Sequence, residues 1–360
     1  MLTNLYICST LRHLLFALAK ATSESDSRSV ILFFRDYQNI EESALDTSQL
    51  PDHIQLYILT RENIILNLKR SLTGRLLLGL ALRTLTVPTH LSNWLYNHMN
   101  NLIDGIALTP GKVKLFVFNE RNKMARLFRL LVDEYAVIED GVGNYYEIPV
   151  KGYKRYIRAL QGKPAKHWVF GEDRKCSAIY AIHPEKLPLS VQNKGIQIDF
   201  LEGSGGINTI NHVFRYQPNH DFQPDVILAT QPDIKAVTSQ LNDKSFMMGI
   251  NHLIVDACEN LKLNVGLKLH PKESSESYLT LLPNVEYLPK KIPIEVLLIN
   301  NYKKPVVLSL CSTSGMGFEK YCRRVMLIPQ SELDQLAQIM VRWEKQPEAL
   351  KAEIQRALTH

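Results

Sequence analysis

Asn4-Leu5-Tyr6-Ile7-Cys8-Ser9-Thr10-Leu11-Arg12-His13-Leu14-Leu15-Phe16-Ala17-Leu18-Ala19-Lys20-Ala21 opens the chain and decides its class. Leu5–Cys8 reads as a strand and Leu11–Ala21 as the crossover helix that follows it. The run Leu14–Ala19 has the look of a signal-peptide core, but Arg12, His13 and Lys20 bracket a stretch too short to span a bilayer. Outward from this unit, strands are expected at Val30–Phe34, Ile54–Leu59, Lys114–Phe118 and Tyr135–Glu139. A second series after Pro224 has strands at Val226–Ala229, Asn264–Leu269, Val285–Tyr287 and Pro305–Leu310, with helices over Lys244–Leu261 and Gly315–Cys322. That alternation is α/β, with parallel sheets. Ser204–Pro224, rich in Gly, Asn, His and Pro and without periodicity, reads as a hinge or linker. Ser331–Thr359 is helical and divided by Pro347. No internal repeat is evident.

The 360 residues, 45% hydrophobic and 22% charged, suffice for two domains with separate cores. A formal charge of +6 suits an anionic partner: nucleotide sugar, acidic glycan, phospholipid surface or nucleic acid. A nucleic-acid role would need a reading module, and none is present. The five cysteines are Cys8, Cys176, Cys258, Cys311 and Cys322. They are scattered and include no C-x-x-C pair, so neither a disulfide framework nor a zinc site is supported, and a reducing cytoplasm fits best.

Three strings carry chemistry. Val137-Ile138-Glu139-Asp140-Gly141-Val142-Gly143-Asn144-Tyr145 is an apolar strand ending in two acids and a glycine turn. A carboxylate at a strand's carboxyl end can take a proton from an attacking hydroxyl, and a neighbouring acid such as Glu139 can raise its pKa toward a useful value. A solvated turn is the plain alternative. Gly266-Leu267-Lys268-Leu269-His270-Pro271-Lys272 delivers a cation and then a histidine into a proline turn, with Lys268 and His270 on one strand face; histidine suits a leaving phosphate. Ile182-His183-Pro184 is the contrasting dipeptide, read as an ordinary exposed turn without a strand or lysine. Val306-Val307-Leu308-Ser309-Leu310-Cys311-Ser312-Thr313-Ser314-Gly315 runs a buried strand into hydroxyls and a helix start, which makes either an anion site or a routine N-cap.

In this order the three strings resemble the D/E-D/E-G, HP and Ser/Thr motifs of bacterial sialyltransferases of the GT-B fold. The likeness is greatest to glycosyltransferase family 52, with related sialyl- and polysialyltransferases. Asn4–Thr10 and Ile227-Leu228-Ala229-Thr230-Gln231-Pro232 look like that group's strand-to-loop segments. The resemblance implies two Rossmann-like domains facing a central cleft: residues 1–210 on the acceptor side, a linker at 211–224, and a CMP-sugar-binding domain at 225–340. A C-terminal helix at 341–360 would pack back on the first domain. It implies Asp140 as general base within the Glu139-Asp140-Gly141 turn, and His270, beside Lys268 and Pro271, as the group that stabilises or protonates departing CMP. Ser312, Thr313 and Ser314 would bind the phosphate or the donor carboxylate, the pair among them left open. Glu295, in Pro293-Ile294-Glu295, would hold ribose hydroxyls, and Thr230 and Gln231 would reach the donor.

The implied activity is inverting transfer of sialic acid or a related nonulosonic acid from its CMP donor to a hydroxyl of a bacterial capsule or lipooligosaccharide glycan. No cofactor is expected, and no metal, since the chain lacks an Asp-x-Asp motif. Lys151–Arg158, continuing through Lys163, Lys166 and His167, and the arginine-edged helix Arg70–Arg83 suit a lipid-linked acceptor or anionic headgroups at the inner membrane face. A solvated face and a core helix are the alternatives. Three other functions stay open. One is a Kdo transferase, and another a polyol-phosphate transferase, which Leu310-Cys311 disfavours where an acidic lead-in is expected. The third is a noncatalytic CMP-sugar or glycan-binding protein.

Overall fold

The computed structural model describes residues 2–83, 87–160, 162, 164–201, 206–218, 222–232, 246–270, 273–301, 303–312 and 314–359. Two compact units meet in sequence at Arg215 and Tyr216. In the first, β1 (Thr3–Cys8), β2 (Arg28–Phe34), β3 (Ile54–Leu59), β4 (Val113–Val117), β5 (Tyr135–Ile138), β8 (Cys176–Ala181) and β9 (Gly195–Gln197) form one sheet in the order β3-β2-β1-β4-β5-β8-β9. Every neighbouring pair is parallel. The small antiparallel pair β6 (Ile148–Pro149) and β7 (His167–Trp168) stands apart from it.

The opening stretch shows why this sheet forms. All of β1 is buried, as a central parallel strand requires. Thr10 then caps α1 (Leu11–Ser23), its hydroxyl accepting the His13 N–H at 3.2 Å. Leu14 to Leu18 are at most 1% exposed, so the run with a signal-like look is a buried crossover helix. Burying each large apolar side chain contributes about 1.5–3 kcal/mol, enough to make this helix a fixed wall of the core.

Helices α2 (Arg61–Lys69), α3 (Leu72–Arg83) and α4 (Thr89–Leu102) follow β3, and α5 (Lys123–Phe128) follows β4. In α3, Leu77 and Ala81 join the core while Leu72, Leu76 and Leu82 are exposed. In α6 (Lys154–Leu160), Arg158 is buried in a two-pronged bond to Glu172 at 2.7 and 2.8 Å, while Tyr156 and Leu160 are exposed, as is the preceding Tyr153.

The second unit orders its parallel strands β12-β11-β10-β13-β14: β10 (Val226–Ala229), β11 (Val265–Lys268), β12 (Glu286–Tyr287), β13 (Val306–Ser309) and β14 (Arg323–Met326). In both sheets the first strand lies between the strand after it and a later one, so the strand order reverses there. Such a reversal places a ligand crevice at the carboxyl ends of β1 and β4, and likewise of β10 and β13.

Several expectations need correcting. Ser204–Pro224 contains α7 (Ile207–Val213), which packs on α1 and brings His212 and Arg215 to Asp46 at 3.3 and 3.5 Å. Gly315–Cys322 is a series of turns rather than a helix, because Gly315 and Gly317 take φ +73° and +87°. His183 does follow a strand: β8 pairs with β5 and ends two residues before it. Strands β8, β9 and β14 were not anticipated. Of the Lys244–Leu261 helix, the described part is α8 (Phe246–Asn260). Beyond it come α9 (Ser275–Leu281), α10 (Ile294–Ile299), α11 (Leu336–Lys345) and α12 (Pro347–Thr359).

Pro347 does divide the final helical segment. Residues of the 341–360 segment are built into the second core: Trp343, Leu350 and Ile354 are fully buried, α12 packs on α8, and Arg323 donates to the carbonyls of Ala357 and Leu358 at 2.8 and 2.7 Å. Among the described residues, no helix is long and apolar enough to cross a membrane.

Candidate active site

Asp140 lies just beyond β5, next to the first strand-order reversal. One carboxylate oxygen, Oδ1, is bonded to His13 Nε2, and the other, Oδ2, accepts from Asn119 Nδ2 at 3.1 Å. His13 belongs to the first turn of α1 and Asn119 lies two residues beyond β4, so three loops converge on this carboxylate. Its backbone N–H donates to Asn144 Oδ1 at 3.0 Å. Gly141, at φ +142°, permits that return of the chain, in a conformation that L side chains rarely adopt. The Asp140 side chain keeps 27% exposure, whereas His13 keeps 1%.

Glu139 points the other way along the strand and is completely buried. It accepts the Tyr145 phenol and the Ile182 N–H, the latter at 2.9 Å, and Tyr145 in turn accepts the His183 N–H at 3.1 Å. His183 thus braces the acid turn through its backbone, and its dipeptide is not an ordinary exposed turn. Arg12 approaches Glu139 at 3.9 Å.

The two acids are driven apart. Burial raises the Asp140 pKa, but the His13 ring, the Asn119 amide and nearby Arg12 outweigh it and hold the carboxyl below its ordinary value. For Glu139 burial wins over Tyr145, Ile182 and Arg12, and the pKa rises. The expectation that Glu139 lifts the pKa of Asp140 is therefore corrected. Asp140 is kept as the anion, and its neighbour is the acid drawn toward protonation.

In the second unit, Thr230 follows β10 and His270 follows β11. The His270 N–H donates to Thr230 Oγ1 at 3.0 Å and to Glu273 Oε2 at 2.9 Å, and Thr230 also bonds that carboxylate. Tyr278 donates to Glu273 at 2.9 Å, so the histidine turn is held from three directions. Lys268 is buried, with Nζ on the carbonyls of Pro289 and Lys290 at 2.6 and 2.9 Å. Burial, helped by Lys290 and opposed by Glu295, takes its pKa down to about 8. The lysine expected to face the donor alongside His270 is thus committed to binding its own backbone.

Gln231 joins β10 to β13, its Oε1 accepting the Cys311 N–H at 2.9 Å. Ser312 and Ser314 hydroxyls bond each other at 2.8 Å. Ser314, Ser309 and Arg324 contribute to the lining of a pocket of about 110 Å³. With a turn in place of the expected helix, no helix dipole assists this cluster. Glu295 is buried in the first turn of α10. Pro271 and Thr313 lie outside the described residues.

Residues 4–323 match the alpha-2,8-polysialyltransferase (POLYST) family. The chain belongs to that family. Three solved structures show its fold. The alpha/beta-galactoside alpha-2,3-sialyltransferase of Photobacterium phosphoreum is similar at TM-score 0.51 and 12% identity, over 95% of both chains. A sialyltransferase of Photobacterium damsela gives 0.52 and 11%, over 94% of this chain and 78% of that one. The GT-B domain of a Photobacterium damselae sialyltransferase gives 0.50 and 11%, over 95% and 96%. No curated protein matches in sequence. The architecture is GT-B, and this polysialyltransferase-family chain is a glycosyltransferase of the sialyl-transfer type.

Sequence reading of this family member missed His13, Asn119, Ser9, Asn122, Glu273 and Tyr278. Only one signal was available: Ser9, His13, Asn119 and Asn122 all lie within a few residues of the carboxyl ends of β1 and β4, the strands flanking the reversal. Their convergence on Asp140 spans up to 127 positions in the chain, and spacing alone does not reveal it.

Proposed function

We propose that this chain transfers sialic acid, or a related nonulosonic acid, from its CMP-activated form to a hydroxyl of a bacterial surface glycan, with inversion and without a metal or other cofactor. The observation that carries the reading is the partly exposed Asp140 anion, held at both oxygens where three strand ends meet. In the proposed step, the acceptor hydroxyl gives its proton to Asp140 as its oxygen bonds the anomeric carbon. The bond from that carbon to the phosphate oxygen breaks, and its electron pair leaves with CMP.

His270 stabilises the departing phosphate by donating to it, and the Ser312–Ser314 hydroxyls supply further donors. Glu295 holds the ribose. Lys268, Thr230 and Gln231 act by bracing these loops. The POLYST name makes a glycan already ending in sialic acid the acceptor to try first. Free cysteines fit a cytoplasmic reaction, and exposed Tyr153, Tyr156 and Leu160 among basic residues fit contact with a membrane carrying a lipid-linked acceptor.

The test is incubation with CMP-sialic, CMP-legionaminic, CMP-pseudaminic and CMP-Kdo donors against neutral and sialylated glycans, read by mass spectrometry. A product heavier by one sialyl residue is expected. Transfer from a CDP-polyol donor, with none from any CMP-sugar, would overturn the reading.

A further inference from the structure

We propose that His13 presents its Nδ1 lone pair to the Ser9 N–H and its Nε2–H to Asp140, and that it acts as a positioning residue, the fixed donor that holds Asp140 for proton uptake. The proposal rests on the reading of Asp140 as the base. The backbone N–H of Ser9 points at His13 Nδ1 at 3.2 Å. An amide N–H only donates, so Nδ1 must present its lone pair, and the single proton of the neutral ring resides on Nε2. That nitrogen faces Asp140 Oδ1.

The neighbouring groups are oriented by the same reasoning. Asn122 caps α5, its Oδ1 accepting the Ala125 N–H at 2.8 Å. Its Nδ2 is therefore the atom that meets Ser9 Oγ at 3.4 Å, which leaves the Ser9 hydroxyl hydrogen for His13 Nδ1, 3.1 Å away. On the other side, Asn119 Oδ1 accepts the Arg121 N–H at 3.2 Å, so its Nδ2 is the donor to Asp140 Oδ2. Backbone N–H groups thus orient Asn122, His13 and Asn119, and these side chains in turn orient Ser9 and Asp140.

A second proton on Nδ1 would confront the Ser9 N–H, in the positive first turn of α1 and beside Arg12. Asp140 is the opposing charge that favours it, with Glu139 the further acid beyond β5. The ring is stacked on Phe118 with centroids 4.3 Å apart and planes 6° apart, and a half-turn about its bond to Cβ would put carbon in place of both nitrogens and lose both hydrogen bonds. His13 is consequently a donor and not a relay. A proton taken by Asp140 leaves through its exposed edge.

The tautomer is read directly by nitrogen NMR of histidine-labelled protein between about pH 6 and about pH 8. A pyrrole-like Nε2 and a pyridine-like Nδ1 are expected for His13; a proton on Nδ1, alone or with Nε2, overturns the proposal. Two variants test the role. His13→Phe keeps the stack and removes the donor, whereas His13→Gln restores an amide donor near Nε2. For His13→Phe we expect CMP affinity within about twofold, kcat lowered about tenfold, and the acidic limb of the kcat/KM profile moved up by about one pH unit.

His13→Gln should recover most of both. A wild-type kcat and limb in His13→Phe also overturns the proposal. Should His13→Phe fail to fold, His13→Gln and the NMR spectrum decide: loss of activity in a folded His13→Gln with unaltered CMP binding counts against the donor role. Asp140→Asn separates the two readings. If it retains wild-type turnover, the base assignment fails, while the His13 tautomer stands or falls on its spectrum.

Discussion

At the first strand-order reversal, between β1 and β4, backbone amides set the orientations of His13, Asn119 and Asn122 near Asp140. At the second, between β10 and β13, the backbone contacts brace loops while the Ser312 and Ser314 hydroxyls bond each other. The contrast fits two different tasks. A base must be aligned before the proton moves, because misplacement is costly in rate. Hydroxyls bonded to one another can instead exchange that bond for an arriving anion at little net cost. On the proposed reading, the two units use one topology for a preset carboxylate and for an adaptable anion cradle.

The sharpest way to break this comparison is Asp140→Asn. Turnover should fall about a hundredfold or more, with CMP binding retained, since a base contributes little to holding the donor. Steady-state kinetics beside CMP titration checks it, and joint loss of both would merge the two tasks. A second test concerns Lys268, whose pKa falls from 10.5 to about 8. Between those values the unfolded chain keeps a proton that the folded chain has lost, so stability rises with pH across the window; below about 8 the penalty is fully present.

Removing the group in Lys268→Met should abolish that rise, changing the gap between variant and wild type by about 2–3 kcal/mol across the window. Denaturant unfolding at a series of pH values measures it, and parallel curves for the two proteins would return Lys268 to the list of donor ligands. His270→Ala should lower kcat about tenfold, with the slowed step being CMP departure in single-turnover kinetics. His252, on α8 and 3.7 Å from Asp256, is the control and should be silent as alanine. His183 is unsuitable as a control because its ring lies against Tyr145 of the acid turn, with centroids 6.4 Å apart. Smallest of all, EDTA should change turnover by no more than about twofold, and loss of activity restored by magnesium would place a metal in the donor cradle.

Much of the fold was legible because parallel strands buried on both faces are continuous apolar runs: Val226–Ala229, fully buried, was placed to the residue, as was the largely apolar edge strand Ile54–Leu59. Cys176–Ala181 escaped notice because Cys176, Ser177 and two alanines dilute its apolar signal and a charged Asp173-Arg174-Lys175 precedes it. Gly315–Cys322 was misread because apolar spacing does not reveal two glycines in left-handed conformations. Pairing adjacent acids also misled: Glu139 and Asp140 share a turn but face opposite environments, which local sequence does not encode.

By itself the sequence determined the α/β class, the two-unit order and the family, since hydrophobic periodicity and ordered motifs are local properties of the chain. Only the tertiary structure decided which acid stays ionised, which nitrogen of His13 faces Asp140 and where the Lys268 ammonium binds. Those outcomes depend on groups brought together from distant strand ends, and desolvation and hydrogen bonding act through space rather than along the sequence.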